Sequence, residues 1–576
     1  MRLRQKSAKD LLRALNQSMI NFNAMWTWVD QNSIFYFCLV GGLITLALIM
    51  AIIPLLRDQG EAKRSHDWIW GILIVAILAA GRWPSIFFPR ELNPDEGQLL
   101  AGARVLLHDP VFWRSVDGGT AGPMDYFPLL PAGWLFGWNT YFTARITAFT
   151  LLAITLVFAH QCMALVFGRR VARATILPTV CFGALTNGTD FLHYSTEMMP
   201  MTMVIVAAYA AIRRWIDQSG PLWNGLGGLL LGAVPLAKLQ AVPLAAALGL
   251  VWLLTEIFSK EPSASRRITF LLVGALLPVT LFACQLTIAG EWDNVIIPYL
   301  LSNIQYSDEG SSLGPTLQIM MAKSSLSDTL LHQWLPGVTI WLVLMLRLRR
   351  SPDRAIQISL IAGFAAVLLA LLCIRYPGRP YLHYWQLAIV PLTFFVGAMT
   401  ANLLSSSKPA WRQWDRWLVV VCAFGLVGTL LIHRAGKPCY FLGYRAFFQQ
   451  YPHTDLSSRI IPHVRPGETL ANWGWSHFVY VETGLLQATR DGNVARSLEY
   501  GPHRDYYRHR YLVDLLNAMP TYFLDSIGPA SLFYTAPQFS HDQSFPALAA
   551  VIRDKYVLIE QMPEGRLYRR RDSVPH

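Results

Sequence analysis

Apolar stretches long enough to cross a hydrocarbon core, about 20 residues each, recur along the first three quarters of the chain. No other feature restricts the fold so strongly. A segment in hydrocarbon must satisfy its own backbone hydrogen bonds, so runs of this kind dictate membrane-spanning helices. Composition agrees. Over 576 residues the chain is 53% hydrophobic and 15% charged, whereas soluble domains carry about 25% charge. Met1 to Gln17 is basic, but the first long apolar run begins only near Ser33 and has no small-residue cleavage site, so no cleavable signal peptide is expected.

The formal net charge of +12 does not point to nucleic acid. The cations sit in short clusters between apolar runs, as the positive-inside rule requires, and form no stripe on a soluble fold. The seven cysteines are Cys38, Cys162, Cys181, Cys284, Cys373, Cys422 and Cys439, with no metal-ligand spacing. Only Cys439 belongs to the polar C-terminal part, which therefore cannot contain its own disulfide.

The pattern predicts twelve helices, near 34–56, 68–89, 140–167, 172–190, 197–215, 222–237, 241–258, 267–289, 329–347, 355–374, 384–403 and 417–433. Basic groups mark alternate loops: Arg169, Arg170 and Arg173; Arg213 and Arg214; Lys260, Arg266 and Arg267; Arg347, Arg349, Arg350 and Arg354; Lys408, Arg412 and Arg416. These are expected on the cytoplasmic side. The remaining loops, 90–139, 290–328 and 375–383, and everything after about 434, would then face outward. Counting back places the N-terminal tail, 1–33, outside as well, although it carries Arg2, Arg4, Lys6, Lys9 and Arg13. The run at 34–56 is the one span whose orientation the charges do not settle.

Two outward loops have amphipathic content. Leu99, Leu100, Ala103, Leu106 and Leu107 follow helical spacing, as do Ile296, Ile297, Leu300, Leu301 and Ile304. Each describes a short helix lying in the membrane interface. From about 437 glycine, proline, aromatics and charges return, and residues 437–576 are expected to form a soluble α/β domain with its own core. Phe478 to Val481 and Tyr556 to Ile559 read as strands, and 504–518 as a helix.

Four polar clusters could carry chemistry. At Asn93, Pro94, Asp95, Glu96 and Gly97, Asn93 is a good N-cap, Pro94 suits the first helical position and Glu96 closes a capping box. Capping accounts for one carboxylate better than for two adjacent ones after a membrane exit. Asp190, His193 and Glu197 are three and four residues apart, so one helix face would gather them, and a divalent metal is a candidate ligand. Solvated or capping acids are the alternative, with Glu197 a polar partner for substrate. Lys238 and Gln240 lie between two apolar runs with almost no loop. A lysine at that depth faces a polar cavity or an anion, unless it snorkels to the interface. Arg375, Arg379, Tyr381 and His383 suit recognition of a phosphate headgroup, against an aromatic belt with flanking charges. All four clusters fall on the outward side, which predicts one polar cavity there. No Walker A, dinucleotide-binding glycine fingerprint or Asp-x-Asp triplet appears, arguing against a cytoplasmic nucleotide-using site.

At these residues the chain resembles the GT-C class of polyprenyl-phosphate-sugar glycosyltransferases, among them the lipid A aminoarabinose transferases and the protein O-mannosyltransferases. The likeness rests on Asp95 and Glu96 in the first large outward loop, Tyr194 to Glu197, Gly232 to Gln240, Tyr381 to Gln386, and Trp473 to Trp475. It covers most of 68–576, and the extra run at 34–56 departs from the class. The resemblance implies an α-helical polytopic membrane protein that catalyses inverting sugar transfer outside the bacterial cytoplasmic membrane. The donor would be a sugar on a polyprenyl phosphate, and the acceptor an envelope glycolipid, glycan or protein. Asp95 matches the general base and Glu197 a second acid, with Glu96 beside them. Lys238, Gln240, Arg375, Arg379, Tyr381 and His383 are the candidates for the donor phosphate. No cofactor is called for beyond the divalent metal considered above. A secondary transporter for an anionic solute would instead show inverted repeats and tight loops, and a non-enzymatic envelope scaffold leaves the acidic loop unexplained.

Overall fold

Helices occupy each of the twelve expected segments. The computed structural model describes residues 33–57, 67–217, 220–259, 261–308, 331–346, 351–379, 381–407, 411–436, 452–529, 531 and 533–573. The basic N-terminal tail, Lys260, all of 309–328, Arg347, Arg349, Arg350, Lys408 and Cys439 lie outside these residues. Eight helical segments are long and apolar enough to cross a membrane, and Leu222–Leu236 and Leu331–Met345 are shorter apolar helices.

The bundle has one continuous apolar interior, running from Tyr36 to Leu430. Its outer surface is also apolar: Leu276, Ile288 and Ile361 are exposed. That distribution suits a chain whose solvent is lipid. Close helix packing follows small residues. Gly228 and Gly232 leave no room for a Cβ against the backbone of Leu271 and Ala275, so helices Leu222–Ala233 and Ala264–Ala289 meet backbone to backbone. Helix Ser33–Leu56 packs as a full-length member of the bundle, with Tyr36 Oη donating to the Gly81 carbonyl at 2.8 Å.

The two ends of the bundle differ. At one, Arg214 and Arg267 both reach Glu256 and Glu261, so the loops of two expected basic clusters meet. Arg170 touches the carbonyl of Arg57, so the first described helix ends at the loop carrying Arg169 and Arg170. The opposite end carries the C-terminal domain. There a five-stranded sheet has the order β2-β1-β3-β5-β4, with β1 Thr469–Trp473, β2 Leu486–Gln487, β3 Tyr522–Asp525, β4 Tyr556–Met562 and β5 Gly565–Arg570. β1 runs parallel to β2 and β3; β5 is antiparallel to β3 and pairs with β4. Strand periodicity sends Leu470, Tyr522 and Leu524 to one face and Ala471, Trp473 and Phe523 to the other. Helices Arg504–Ala518 and Pro546–Lys555 cover the second face.

Three expectations need correction. Phe478 to Val481 is not a strand but the start of helix Phe478–Thr483, closed by Gly484 at φ 73°. β-branched residues lose to tertiary packing here: Val479 and Tyr480 fill the sheet's first face, while Val481 joins the core below. Helix Pro94–Val105 does not lie open on a membrane surface. Leu99, Leu100, Ala103 and Leu106 pack into the juxtamembrane core, Ala101 packs under the sheet, and only Leu107 of the expected stripe is exposed. The segment Asp293–Asp308 does keep an open apolar face, with Ile296, Leu300, Leu301 and Ile304 exposed. Finally, 172–190 is not one helix. It ends at Leu185, and Thr189–Leu192 is a separate turn.

Candidate active site

The acidic turn after the second helix is built as its sequence implies. Asn93 caps helix Pro94–Val105 in an extended conformation, its Oδ1 accepting the Asp95 N–H at 3.0 Å. Glu96 reaches back to the N–H of Leu92 at 3.0 Å. Its other contacts come from far along the chain. Glu96 is fully buried and gripped by Arg145, Nε to Oε1 at 3.1 Å and Nη2 to Oε2 at 3.0 Å. The same guanidinium donates to the carbonyls of Ser85, Phe88 and Arg90. Glu96 therefore locks the turn, and its oxygens are spent on protein donors. Asp95, one residue earlier, is half-buried, with no protein donor on its carboxylate among the described residues. Its charge is felt at Tyr381 and His383, which places it in their neighbourhood.

The second wall is the break between helices Leu222–Ala233 and Val242–Ile257. Pro235 and the extended backbone of Lys238 (φ −148°, ψ 122°) interrupt the helix and leave two short 3₁₀ turns. Gly122 pins this break: its N–H donates to the Ala237 carbonyl at 2.6 Å, and a Cβ there would collide with the Leu236 carbonyl. Tyr299 Oη adds a bond to the Pro235 carbonyl at 2.8 Å. The turn presents Lys238, which is buried and donates to Glu197 and Thr196. Its ammonium also lies 5.2 Å from the Tyr384 ring centroid. Burial pushes the Glu197 carboxyl up, but Lys238 and His383 pull it down further, to about 2. It is an anion at neutral pH.

Tyr381, His383 and Tyr384 form the third wall. Tyr381 stacks on His383 with centroids 5.4 Å apart, and His383 Nδ1 meets Asp190 Oδ1 at 3.0 Å. Gln386 ties the wall to the Asp190 carbonyl and to Ser195 Oγ, both at 3.0 Å. Burial raises the Asp190 carboxyl, yet the hydrogen bond and charge of His383 leave it below its usual value. Arg379 lies over the Tyr306 ring at 4.5 Å. Asp95, Asp190, Glu197, Lys238, Tyr381 and His383 thus share one site, with Arg379 at its edge. Gln240 is turned aside, donating to the Cys373 carbonyl at 2.9 Å. The Arg375 side chain has no hydrogen bond or ion pair among the described residues; its carbonyl accepts from Gly378.

The expected metal set does not assemble. Asp190 pairs with His383, Glu197 with Lys238, and His193 Nδ1 lies 2.7 Å from the Thr189 carbonyl. The cause is the break after Leu192: His193 is extended (ψ 163°) and the helix resumes only at Met198, which removes the common helix face that the spacing requires. Among the described residues, Asp525, His541 and Asp542 are the one group whose ligand atoms cluster within 4.8 Å. Arg566 already bridges Asp525 and Asp542 there, at 2.7 Å to each, so the cation position is filled by the protein itself.

Sequence reasoning missed two participants. Arg145 was visible as a charge in an otherwise apolar run, a signal worth acting on. Asp125 had no such mark. It is fully buried, with no hydrogen bond to either carboxylate oxygen among the described residues. Burial holds its carboxyl well above the usual range, Lys238 pulling the other way and Glu197 adding to the rise.

A helical bundle whose polar end carries juxtamembrane helices and a small α/β domain is the architecture of the GT-C class. The solved structures that share it include ArnT from Cupriavidus metallidurans bound to undecaprenyl phosphate, with a TM-score of 0.56 at 14% identity, covering 88% of this chain and 98% of that one. ArnT from the same organism in the apo state matches with a TM-score of 0.52 at 14% identity over the same shares. No family model and no curated protein matches the sequence. At this identity the likeness establishes the fold.

Proposed function

We propose that this chain is an inverting membrane glycosyltransferase that moves a sugar from a polyprenyl-phosphate donor to a hydroxyl of an envelope glycolipid, glycan or protein. The observation that carries the reading is an uncommitted, half-buried carboxylate, Asp95, at the same bundle end as a buried cation and aromatic wall, the end capped by the C-terminal domain. ArnT, whose fold this chain shares, was solved with undecaprenyl phosphate bound, which supports a lipid phosphate as the donor's leaving group. The site end is read as extracytoplasmic because loops of the basic clusters meet at the opposite end, and the membrane is read as the bacterial inner membrane from the resemblance alone.

In this mechanism Asp95 takes the proton from the acceptor hydroxyl. The oxygen attacks the anomeric carbon on the face opposite the phosphate. That carbon's bond to phosphate oxygen breaks, and the phosphate leaves with the electron pair. Lys238 and Arg379 offset the developing charge, while Glu197 holds Lys238 in place. The test is purified protein in nanodiscs with radiolabelled polyprenyl-phosphate sugars and native membranes as acceptor. Consumption of donor that Asp95→Asn abolishes supports the proposal; an intact donor with every sugar tried overturns it.

A further inference from the structure

Between helix Ser302–Asp308 and the C-terminal domain lies a shallow crevice open to solvent. Its walls include Tyr306 on the membrane side and Arg496, Tyr500, Arg504 and Tyr507 on the domain side. Arg496 donates to the Pro298 carbonyl at 2.9 Å and to Tyr507 Oη at 2.6 Å. Arg504 lies 4.3 Å over the Tyr500 ring and donates to the Ser497 carbonyl at 3.4 Å. Neither has a carboxylate partner among the described residues. That sets them apart from Arg490, Arg510 and Arg566 of the same domain, each matched by Asp514, by Asp117 and Asp491, or by Asp525 and Asp542. The acid at the crevice, Glu499, accepts the Tyr534 hydroxyl at 2.5 Å.

Two guanidinium groups with spare N–H donors and no carboxylate within ion-pair distance among the described residues are suited to a planar or tetrahedral oxyanion. Tyr500 is 88% exposed at the same place. An open aromatic face of negative quadrupole suits the weakly positive C–H face of a pyranose ring. The crevice also adjoins the site: the Tyr306 ring in its wall lies against Arg379, and the Glu499 charge is felt at Tyr381.

We propose that this crevice is a binding subsite for an anionic sugar, with Arg496 and Arg504 holding its phosphate or carboxylate and Tyr500 covering the ring. Its role as the acceptor's anchor rests on the transferase reading; its capacity to bind does not. The experiment uses the full chain in nanodiscs and measures binding of glucose 1-phosphate, glucuronate and glucose. One or both anions should bind, at least about tenfold tighter than glucose, and the better anion tells phosphate from carboxylate. Arg504→Gln and Arg496→Gln should each weaken that anion by about 10- to 100-fold, the usual range for a lost charge-assisted bond. Undecaprenyl phosphate binding should be unchanged in Arg504→Gln. Equal affinity for glucose and the anions, no binding of any of the three, or full anion affinity in both variants overturns the proposal. So does an Arg504→Gln variant that loses the polyprenyl lipid instead of the sugar. If wild-type protein binds the anions yet never consumes a polyprenyl donor, the crevice stands and the transferase reading falls.

Discussion

Arg145 and Lys238 are both buried cations matched by a buried glutamate, but the two regions around them are organised differently. The Arg145 guanidinium spreads over five acceptors: both oxygens of Glu96 and three backbone carbonyls. Nothing is left for a ligand. Lys238 uses Thr196 and Glu197 and turns toward the Tyr384 ring. An ammonium has three donors, and its flexible stem can redirect them. A planar fork saturated by backbone makes a scaffold, while a point charge with a soft third partner makes a site. The same contrast divides Asp95 from Glu96, neighbours in sequence with opposite fates.

The largest effect expected from breaking this contrast is at Asp95. Asp95→Asn should lower the rate of transfer by about 10²–10⁴-fold while leaving thermal unfolding and donor binding near wild type. Near-normal turnover would pass the role of base to Glu197. Arg145→Met strands Glu96 without its partner and should cost about 3–5 kcal/mol of stability, as breaking a buried ion pair does. Thermal unfolding in detergent reads it, and an unchanged midpoint would show that the fork is no scaffold.

Lys238→Met should weaken polyprenyl-phosphate binding by about 10- to 100-fold, and it should also change the response to pH. In the wild type the Glu197 carboxyl is depressed to about 2. Its contribution to stability is therefore full above the ordinary value of 4.5 and is lost only as pH falls below that, toward 2. Without Lys238, burial dominates and the carboxyl rises above its ordinary value. A raised acid stabilises the fold at low pH and loses that contribution as pH rises. The variant's unfolding temperature should fall between about pH 5 and pH 8 on this account, where this group leaves the wild type flat. A flat variant would mean that Lys238 does not set the charge on Glu197. The smallest effect is expected at Arg375, whose side chain has no ion pair among the described residues. Arg375→Gln should change donor affinity by about fivefold or less, the range of a solvent-screened charge outside an ion pair. A loss equal to that of Lys238→Met would return Arg375 to the site.

How much of this was legible depended on range along the chain. Helix positions followed from apolar length, and the cap at Asn93 followed from residue types within one turn. The proximity of Tyr381, His383, Glu197 and Lys238 was anticipated as one polar cavity, because their loops fall on one side. The metal set failed because a three- and four-residue spacing means a common face only inside a continuous helix, and the chain leaves the helix between Leu192 and Met198. Phe478–Thr483 was misread from its β-branched residues, although Gly484, an evident C-cap, marked a helix end. Asp125 gave no local signal at all: its burial depends on contacts such as that of its carbonyl with Tyr194, 69 residues away.

By itself the sequence determined that this chain lives in a membrane, where its helices run, which loops share an end and where an acidic helix start lies. These are consequences of apolar length, charge placement and capping, and each acts within a few residues. Capping chemistry already marks Glu96 as the structural acid of the adjacent pair, and only the tertiary structure decided which partner holds it. Arg145, 49 residues beyond Glu96, claims that carboxylate and leaves Asp95 open. It also decided that Lys238 would meet Glu197 and that Arg496 and Arg504 would border a crevice with no ion pair of their own among the described residues. The physical reason is that a buried charge must find its partner in space, and packing, not sequence distance, determines what is within reach.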